Sequence, residues 1–221
     1  MYGCRPVEYL RRLGWLGDDV WLAHCVHLTD EEVALFGETG TGVAHCPSSN
    51  SRLGSGVSPV RKLLDAGAPV GIGVDGSASN DTSNMLAEVR QAMLAHRRDP
   101  DPGKWLTAEE AFWLATRGGA RCLGREDEIG SLQAGRFADV IAVETRRLSH
   151  AGAASDPLAA LAFSPWPEPV DTVLVHGRVV VSGGELRDMD VPALIERANR
   201  ISNGLLDEAR RHTGLDYRTK P

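Results

Sequence analysis

Asp75 closes the apolar run Val70-Gly71-Ile72-Gly73-Val74 and opens Gly76-Ser77-Ala78-Ser79-Asn80-Asp81, a stretch with no apolar side chain larger than alanine. An ionised carboxylate at the end of a buried strand calls for a cation, a metal or a set of donors, because burying it unpartnered is costly. Two upstream runs end on imidazoles: Val20-Trp21-Leu22-Ala23 leads into His24, and Gly42-Val43-Ala44 leads into His45. An imidazole and a carboxylate at neighbouring strand ends can share the protons of a metal-bound water, the carboxylate accepting one while the imidazole orients the nucleophile or the substrate. A zinc-type centre takes about three protein ligands, commonly histidines. The available donors are His24, His45 and Asp75; the chain has no HxH pair, and His24 and His27 diverge on a strand-to-loop path. The other histidines, His27, His96, His150, His176 and His212, read as hydrogen-bonded core or surface residues.

Strand-end His, His and Asp at helix-length intervals imply a parallel α/β barrel with its chemistry on one rim. The intervening segments fit. Pro6 to Leu16 reads as an amphipathic helix with Val7, Leu10, Leu13 and Leu16 inward. Thr29-Asp30-Glu31-Glu32 is a capping box opening the next helix, which Gly37, Gly40 and Gly42 close. Cys46 to Gly56 reads as a polar loop too long to be a simple connection, and such loops on strand ends tend to touch ligands. Helices are expected over Pro59 to Ala66, over Asn84 to Arg97 with Met85, Val89, Ala92 and Met93 inward, and over Ala108 to Thr116. Asp99 to Gly103 reads as an exposed linker.

The character changes at Gly118-Gly119. Beyond it lie short β-type runs, Ala138 to Val143, Thr172 to Val175 and Arg178 to Val181, the last two forming a hairpin about His176-Gly177. The expected division is a barrel part over 1–123, a small β module over 124–188 and a closing helix in 189–221, helical from Val191 to Thr213.

Composition bounds the partners. The 221 residues are 42% hydrophobic and 24% charged with a net charge of −6, and no Lys/Arg-rich block occurs. This disfavours a polyanionic partner, and no nucleic-acid partner is expected. The apolar runs are too short to span a bilayer and the amino terminus lacks a signal-like segment, so no membrane partner and a cytoplasmic location are expected. Cys4, Cys25, Cys46 and Cys122 form no CxxC pair and read as free thiols in a reducing compartment.

Leu22-Ala23-His24-Cys25-Val26-His27-Leu28, Val43-Ala44-His45-Cys46-Pro47-Ser48-Ser49-Asn50 and Gly73-Val74-Asp75-Gly76 with Ser79-Asn80, in that order and spacing, resemble the amidohydrolase superfamily. The branch they resemble holds guanine and 8-oxoguanine deaminases, triazine hydrolases and adenosyl-homocysteine deaminases. Glu128-Ile129-Gly130-Ser131-Leu132-Gln133-Ala134-Gly135-Arg136-Phe137-Ala138-Asp139 resembles the point where such chains return to a β-sandwich domain. Gly3 to Val7, Asn50 to Gly56, Asp75 to Asp81 and Ala115 to Ala120 look most like the 8-oxoguanine deaminases. The resemblance implies a (β/α)8 barrel of which strands six to eight are present, plus part of a small β-sandwich. It implies that Asp75 is a metal ligand and proton-accepting base, and that His24 is catalytic, touching the metal-bound hydroxide or the substrate carbonyl. Arg52 and Ser79 are implied substrate contacts, although Arg52 reads equally well as a solvated loop residue.

Complete members of that branch begin with a sandwich segment, a strand carrying HxH and a strand carrying HxxE, all of which would precede Met1. Met1 itself fits an internal methionine as easily as an initiator. The chain is therefore expected to be the carboxyl-terminal half of a metal-dependent deaminase of 8-oxoguanine or a related cyclic amidine, inactive alone. The metal implied for the full enzyme is a single divalent ion, zinc, with iron as the alternative. The expected partners are a small heterocyclic substrate and a second copy or a complementing half-barrel. Two other readings stand beside it: a triazine amino- or chlorohydrolase, and a non-catalytic half-barrel completed by a partner chain.

Overall fold

The computed structural model describes residues 3–164 and 170–218; Met1, the end of the tail segment and a short stretch of the β module lie outside the described residues. The fold is α/β. Helix α1 (Pro6–Arg12) starts with Pro6 in its first turn, where the missing N–H costs nothing, and buries Val7. It ends at Arg12, short of the expected Leu16: Gly14 adopts a φ of 68° and Leu13 is exposed. Strand β1 (Trp21–Ala23) leads to α2 (Asp30–Thr39), where the expected capping box forms between Thr29 and Glu32. The Glu32 carboxylate also takes a forked pair of 2.8 Å hydrogen bonds from Arg5, which ties the start of α1 to the start of α2. Gly37 lies inside α2, and it is Gly40, at φ 73°, that ends it.

Strand β2 (Gly42–His45) follows, and then the structure departs from expectation. Pro47–Arg52 is a helix, α3, not a loop. Pro47 occupies its first turn, and the Ser51 hydroxyl donates back to the Pro47 carbonyl at 2.8 Å. Serine and asparagine are weak helix formers, so the local composition gave no hint of it; tertiary bonds to Ser49 and Asn50 hold it. Helix α4 (Val60–Asp65) precedes β3 (Val70–Ile72). Strands β1, β2 and β3 pair in parallel in that order, with Ala23 opposite Ala44 and His45 opposite Ile72.

Helix α5 (Met85–Ala95) is capped by the Asn84 side chain and continues as a 3₁₀ turn, His96–Arg98. Its inward face carries Leu86, Glu88, Val89, Ala92 and Met93, whereas Met85, expected inside, is exposed. Part of the expected linker is a 3₁₀ turn at Pro102–Lys104. Helix α6 (Ala108–Trp113) passes through a π turn at Leu114–Gly118 into α7 (Gly119–Cys122). Gly118-Gly119 thus continues a helical path rather than ending it. The reason is close packing on β3. A Cβ at Gly71 would lie 2.7 Å from the Gly119 Cα, and one at Gly118 would lie 2.3 Å from the Val70 carbonyl oxygen. The core between sheet and helices holds Val33, Phe36, Val43, Leu63, Val70, Val89, Met93 and Leu114.

A second sheet is antiparallel in the order β4 (Val140–Ala142), β5 (Thr172–Val175), β6 (Arg178–Ser182), β7 (Glu185–Leu186). The hairpin turns at His176-Gly177, both at positive φ. Between β4 and β5 lies α8 (Pro157–Phe163), which sequence reading missed; its apolar Pro-Leu-Ala-Ala-Leu-Ala-Phe run packs on α5 and α6. Helix α9 (Val191–Thr213) runs over the expected span, from its Asp190 cap to Gly214 at φ 72°.

The close contact of β3 with α7 gives a direct test. Gly71→Ala should destabilise the chain by about 1–3 kcal/mol, because backbone and not a flexible side chain must yield. Urea denaturation measures this, and a midpoint equal to wild type would contradict the packing.

Candidate active site

Two of the three strand-end residues come together. His24 follows β1 at φ 68° and Asp75 follows β3 at φ 63°, with Cys25 also at positive φ. Left-handed backbone at non-glycine residues is costly, and it persists where surrounding contacts hold it, often at functional sites. The His24 Nε2 lies 3.7 Å from the Asp75 Oδ2. These residues end the two outer strands of the sheet, and what joins them comes from the middle one. Helix α3, directly after β2, supplies both links: the Ser49 hydroxyl donates to Asp75 Oδ2 at 2.6 Å, and the Asn50 Oδ1 lies 2.9 Å from His24 Nδ1. With the Asn50 oxygen accepting, the His24 Nδ1 donates, and the ring is held with its Nε2 facing Asp75.

Asp75 is partly open to solvent, with a third of its side chain exposed, so the expectation of a buried carboxylate is corrected. Its compensation is a set of donors. The Ser49 hydroxyl contributes most, then the Gly76 backbone N–H, then the Ser79 hydroxyl at 3.0 Å, and together they hold the carboxyl below the usual aspartate range. Ser79 also donates to the Gly76 carbonyl at 3.2 Å, so this hydroxyl is engaged within its own loop. Arg52, at the end of α3, pairs with Asp81, bridging α3 to the loop after β3.

His45 goes elsewhere. It is fully buried, and its ring packs at 5.3 Å against His96. Burial is the first cause pushing its pKa down to about 3, followed by His96 and His24; burial likewise lowers His96 to about 4. His45 is a neutral core residue here and is not brought to Asp75.

Among the described residues, no group of three or more His, Cys, Asp or Glu side chains could hold a metal ion. His24 and Asp75 offer one nitrogen and one carboxylate on a common side, which is part of a donor set and not a complete one. Sequence reading missed Ser49 and Asn50. The available signal was the polar Ser48-Ser49-Asn50 run directly after a strand end, which was legible as a ligand-side segment but not as the link between two strands.

The amidohydrolase family model matches residues 3–180, a span that includes the parallel sheet and strands β4 and β5 of the antiparallel one. An 8-oxoguanine deaminase from Pseudomonas aeruginosa is 45% identical over 205 residues, covering 93% of this chain and 45% of that protein. Among solved structures, an adenosine deaminase from Xanthomonas campestris with bound zinc superposes with a TM-score of 0.87 at 35% identity, covering 92% of this chain and 46% of that one. The atrazine chlorohydrolase of Arthrobacter aurescens TC1, complexed with zinc, gives a TM-score of 0.85 at 39% identity, covering 90% and 44%. The chain spans about half the length of the relatives it matches. Its strand-end histidine and aspartate lie inside the matched span, and by that match the chain belongs to the amidohydrolase family.

Proposed function

We propose that this chain is the carboxyl-terminal part of a metal-dependent hydrolytic deaminase that releases ammonia from 8-oxoguanine or a related purine. The observation that carries the reading is the facing of His24 Nε2 and Asp75 Oδ2 at 3.7 Å, with Asn50 and Ser49 orienting the two from one helix. The 45% identity to an 8-oxoguanine deaminase favours that substrate class. In this reading residues 1–123 are part of a (β/α)8 barrel containing its strands six to eight, 124–188 are part of a β-sandwich, and 189–221 are the closing helix.

The roles follow from the geometry. Asp75 acts as proton acceptor and as a metal ligand, and the Ser49 and Ser79 hydroxyls, both on Oδ2, favour its ionised form. His24, held through Nδ1 by Asn50, presents Nε2 to the attacking water or to the substrate carbonyl. Arg52 and Ser79 are assigned as substrate contacts, Ser79 standing beside Asp75 and Arg52 paired with Asp81 of the same loop. A divalent ion, zinc with iron as the alternative, would be held in part by Asp75 and would supply the acidification of water that hydrolysis at neutral pH requires. The described residues alone do not complete its ligand set, so the 221-residue chain by itself is expected to be inactive, the remaining donors coming from further chain or from a complementing half-barrel. Both outer strands of the parallel sheet have one unpaired edge among the described residues, which favours such completion. A triazine amino- or chlorohydrolase is the second reading, favoured by the likeness to a zinc-bound atrazine chlorohydrolase.

Ammonia release from 8-oxoguanine, guanine and hydroxytriazines by a chain completed with HxH- and HxxE-bearing segments tests the assignment. Fastest turnover is expected on 8-oxoguanine, with Asp75→Asn losing about a thousandfold or more; turnover of triazines alone would replace the purine reading. An enzyme-like rate from the 221-residue chain alone would contradict the incomplete ligand set.

The ionisation of Asp75 is testable in the chain as it stands. A depressed carboxyl pKa favours the folded state above the ordinary aspartate value, and that contribution is lost as pH falls through the folded value. Ser49→Ala removes the largest cause, so the Asp75 pKa should rise toward the ordinary range in a 13C-carboxyl titration; an unchanged pKa would show that Ser49 does not hold it.

A further inference from the structure

Glu88 lies on the inward face of α5 among Leu86, Val89, Ala92 and Met93, and only 1% of it is exposed. An apolar side chain would fill that place at lower cost than a carboxylate facing neutral donors, so packing alone does not account for it. Its two oxygens reach two different elements. Oε2 accepts the Ser48 backbone N–H at 3.1 Å, in the first turn of α3. Oε1 accepts from the Asn80 side-chain amide at 2.8 Å, in the loop after β3. Asn80 is itself buried, and its own Oδ1 accepts the Ser83 N–H at 3.2 Å, which fixes the orientation of the amide.

Each contact sits beside a hydroxyl that serves Asp75. Ser48 precedes Ser49, and Asn80 follows Ser79; both serine hydroxyls donate to Asp75 Oδ2. We propose that Glu88 is a positioning residue of the candidate site, holding the first turn of α3 and the loop after β3 in the one relative placement that brings Ser49 and Ser79 together on Asp75. The chemistry requires a carboxylate. It accepts with both oxygens at once, whereas a glutamine in its place offers one acceptor and one donor. The proposal rests on reading Asp75 as the functional carboxylate, but its test uses neither metal nor substrate, so the two claims fail separately.

The donor pattern supplies a rescue. In Glu88→Gln, the side-chain oxygen can serve Ser48 or Asn80 but not both. In Glu88→Gln combined with Asn80→Asp, the glutamine oxygen accepts from Ser48 while its amide donates to the new carboxylate, which still accepts from Ser83. All three hydrogen bonds are restored, the one between positions 88 and 80 with donor and acceptor reversed.

The measurement is amide hydrogen exchange by NMR on the 221-residue chain. The Gly73 N–H, which donates to the His45 carbonyl at 2.9 Å, reports on the sheet. Glu88→Gln should speed exchange at Ser48 and Ser83 about tenfold or more and shift the Ser49 and Ser79 resonances, leaving Gly73 unchanged; the double variant should return these sites toward wild type. Unchanged Ser48 and Ser83 exchange in Glu88→Gln would overturn the proposal. So would equal acceleration at Gly73, which marks loss of overall stability rather than of placement. If Glu88→Gln does not fold, the double variant decides: wild-type Ser49 and Ser79 resonances support the proposal, and their absence overturns it.

Discussion

The candidate site depends on a short polar helix inserted between two strand ends. His24 and Asp75 end strands that do not pair with each other, and β2 stands between them. Without a link across the middle strand, each side chain would be free to find its own solvent-facing rotamer. Ser49 and Asn50, adjacent residues in α3, reach opposite ways and fix both. The links are hydrogen bonds to a carboxylate and to an imidazole, and those to the carboxylate are of the stronger, charge-assisted kind. They also explain the helix itself. A Pro-Ser-Ser-Asn-Ser-Arg sequence has little helical propensity, and its fold is set by what its side chains bind.

That dependence marks the boundary of what sequence alone revealed. Where local chemistry decides, the reading held: Thr29 and Glu32 cap α2, the apolar runs before His24, His45 and Asp75 form parallel strands, and Val191 to Thr213 is a helix. It failed where tertiary contacts override local preference. The polar run after β2 looked like a loop and is a helix. The helix expected to end at Thr116 continues through Gly118-Gly119 as a helical crossing, because only glycine lets α7 lie against β3. His45 looked like a rim ligand by analogy with His24, yet the two strand ends differ. His24 leaves β1 through a left-handed turn and stays partly exposed, while His45 still belongs to β2 and is fully buried. No feature of a single sequence distinguishes those two exits.

The same logic orders the roles along the chain. The Arg5 fork on Glu32 and the Thr29 cap fix α1 and α2 behind the first strand, and the glycine contacts fix α7 against the third. On that frame a small number of polar bonds decide where the reactive atoms lie. The buried apolar positions between sheet and helices, such as Val43, Leu63 and Val89, are the part of the fold most tolerant of conservative apolar exchange, while the polar bonds allow little substitution because each donor meets a specific acceptor. Half the length of its relatives is enough to carry this frame and one facing pair of donors, and a metal centre of the zinc type needs more ligands than that pair provides.

The central claim is that this chain supplies part of a metal centre whose remaining ligands come from elsewhere. The most direct test is the zinc content of the purified 221-residue chain after loading and removal of excess metal, measured beside a version carrying HxH- and HxxE-bearing segments. The account predicts a metal-free short chain and about one equivalent in the completed one. Stoichiometric zinc in the short chain would contradict it, and would send the search for substitute ligands to His24, His27 and His45.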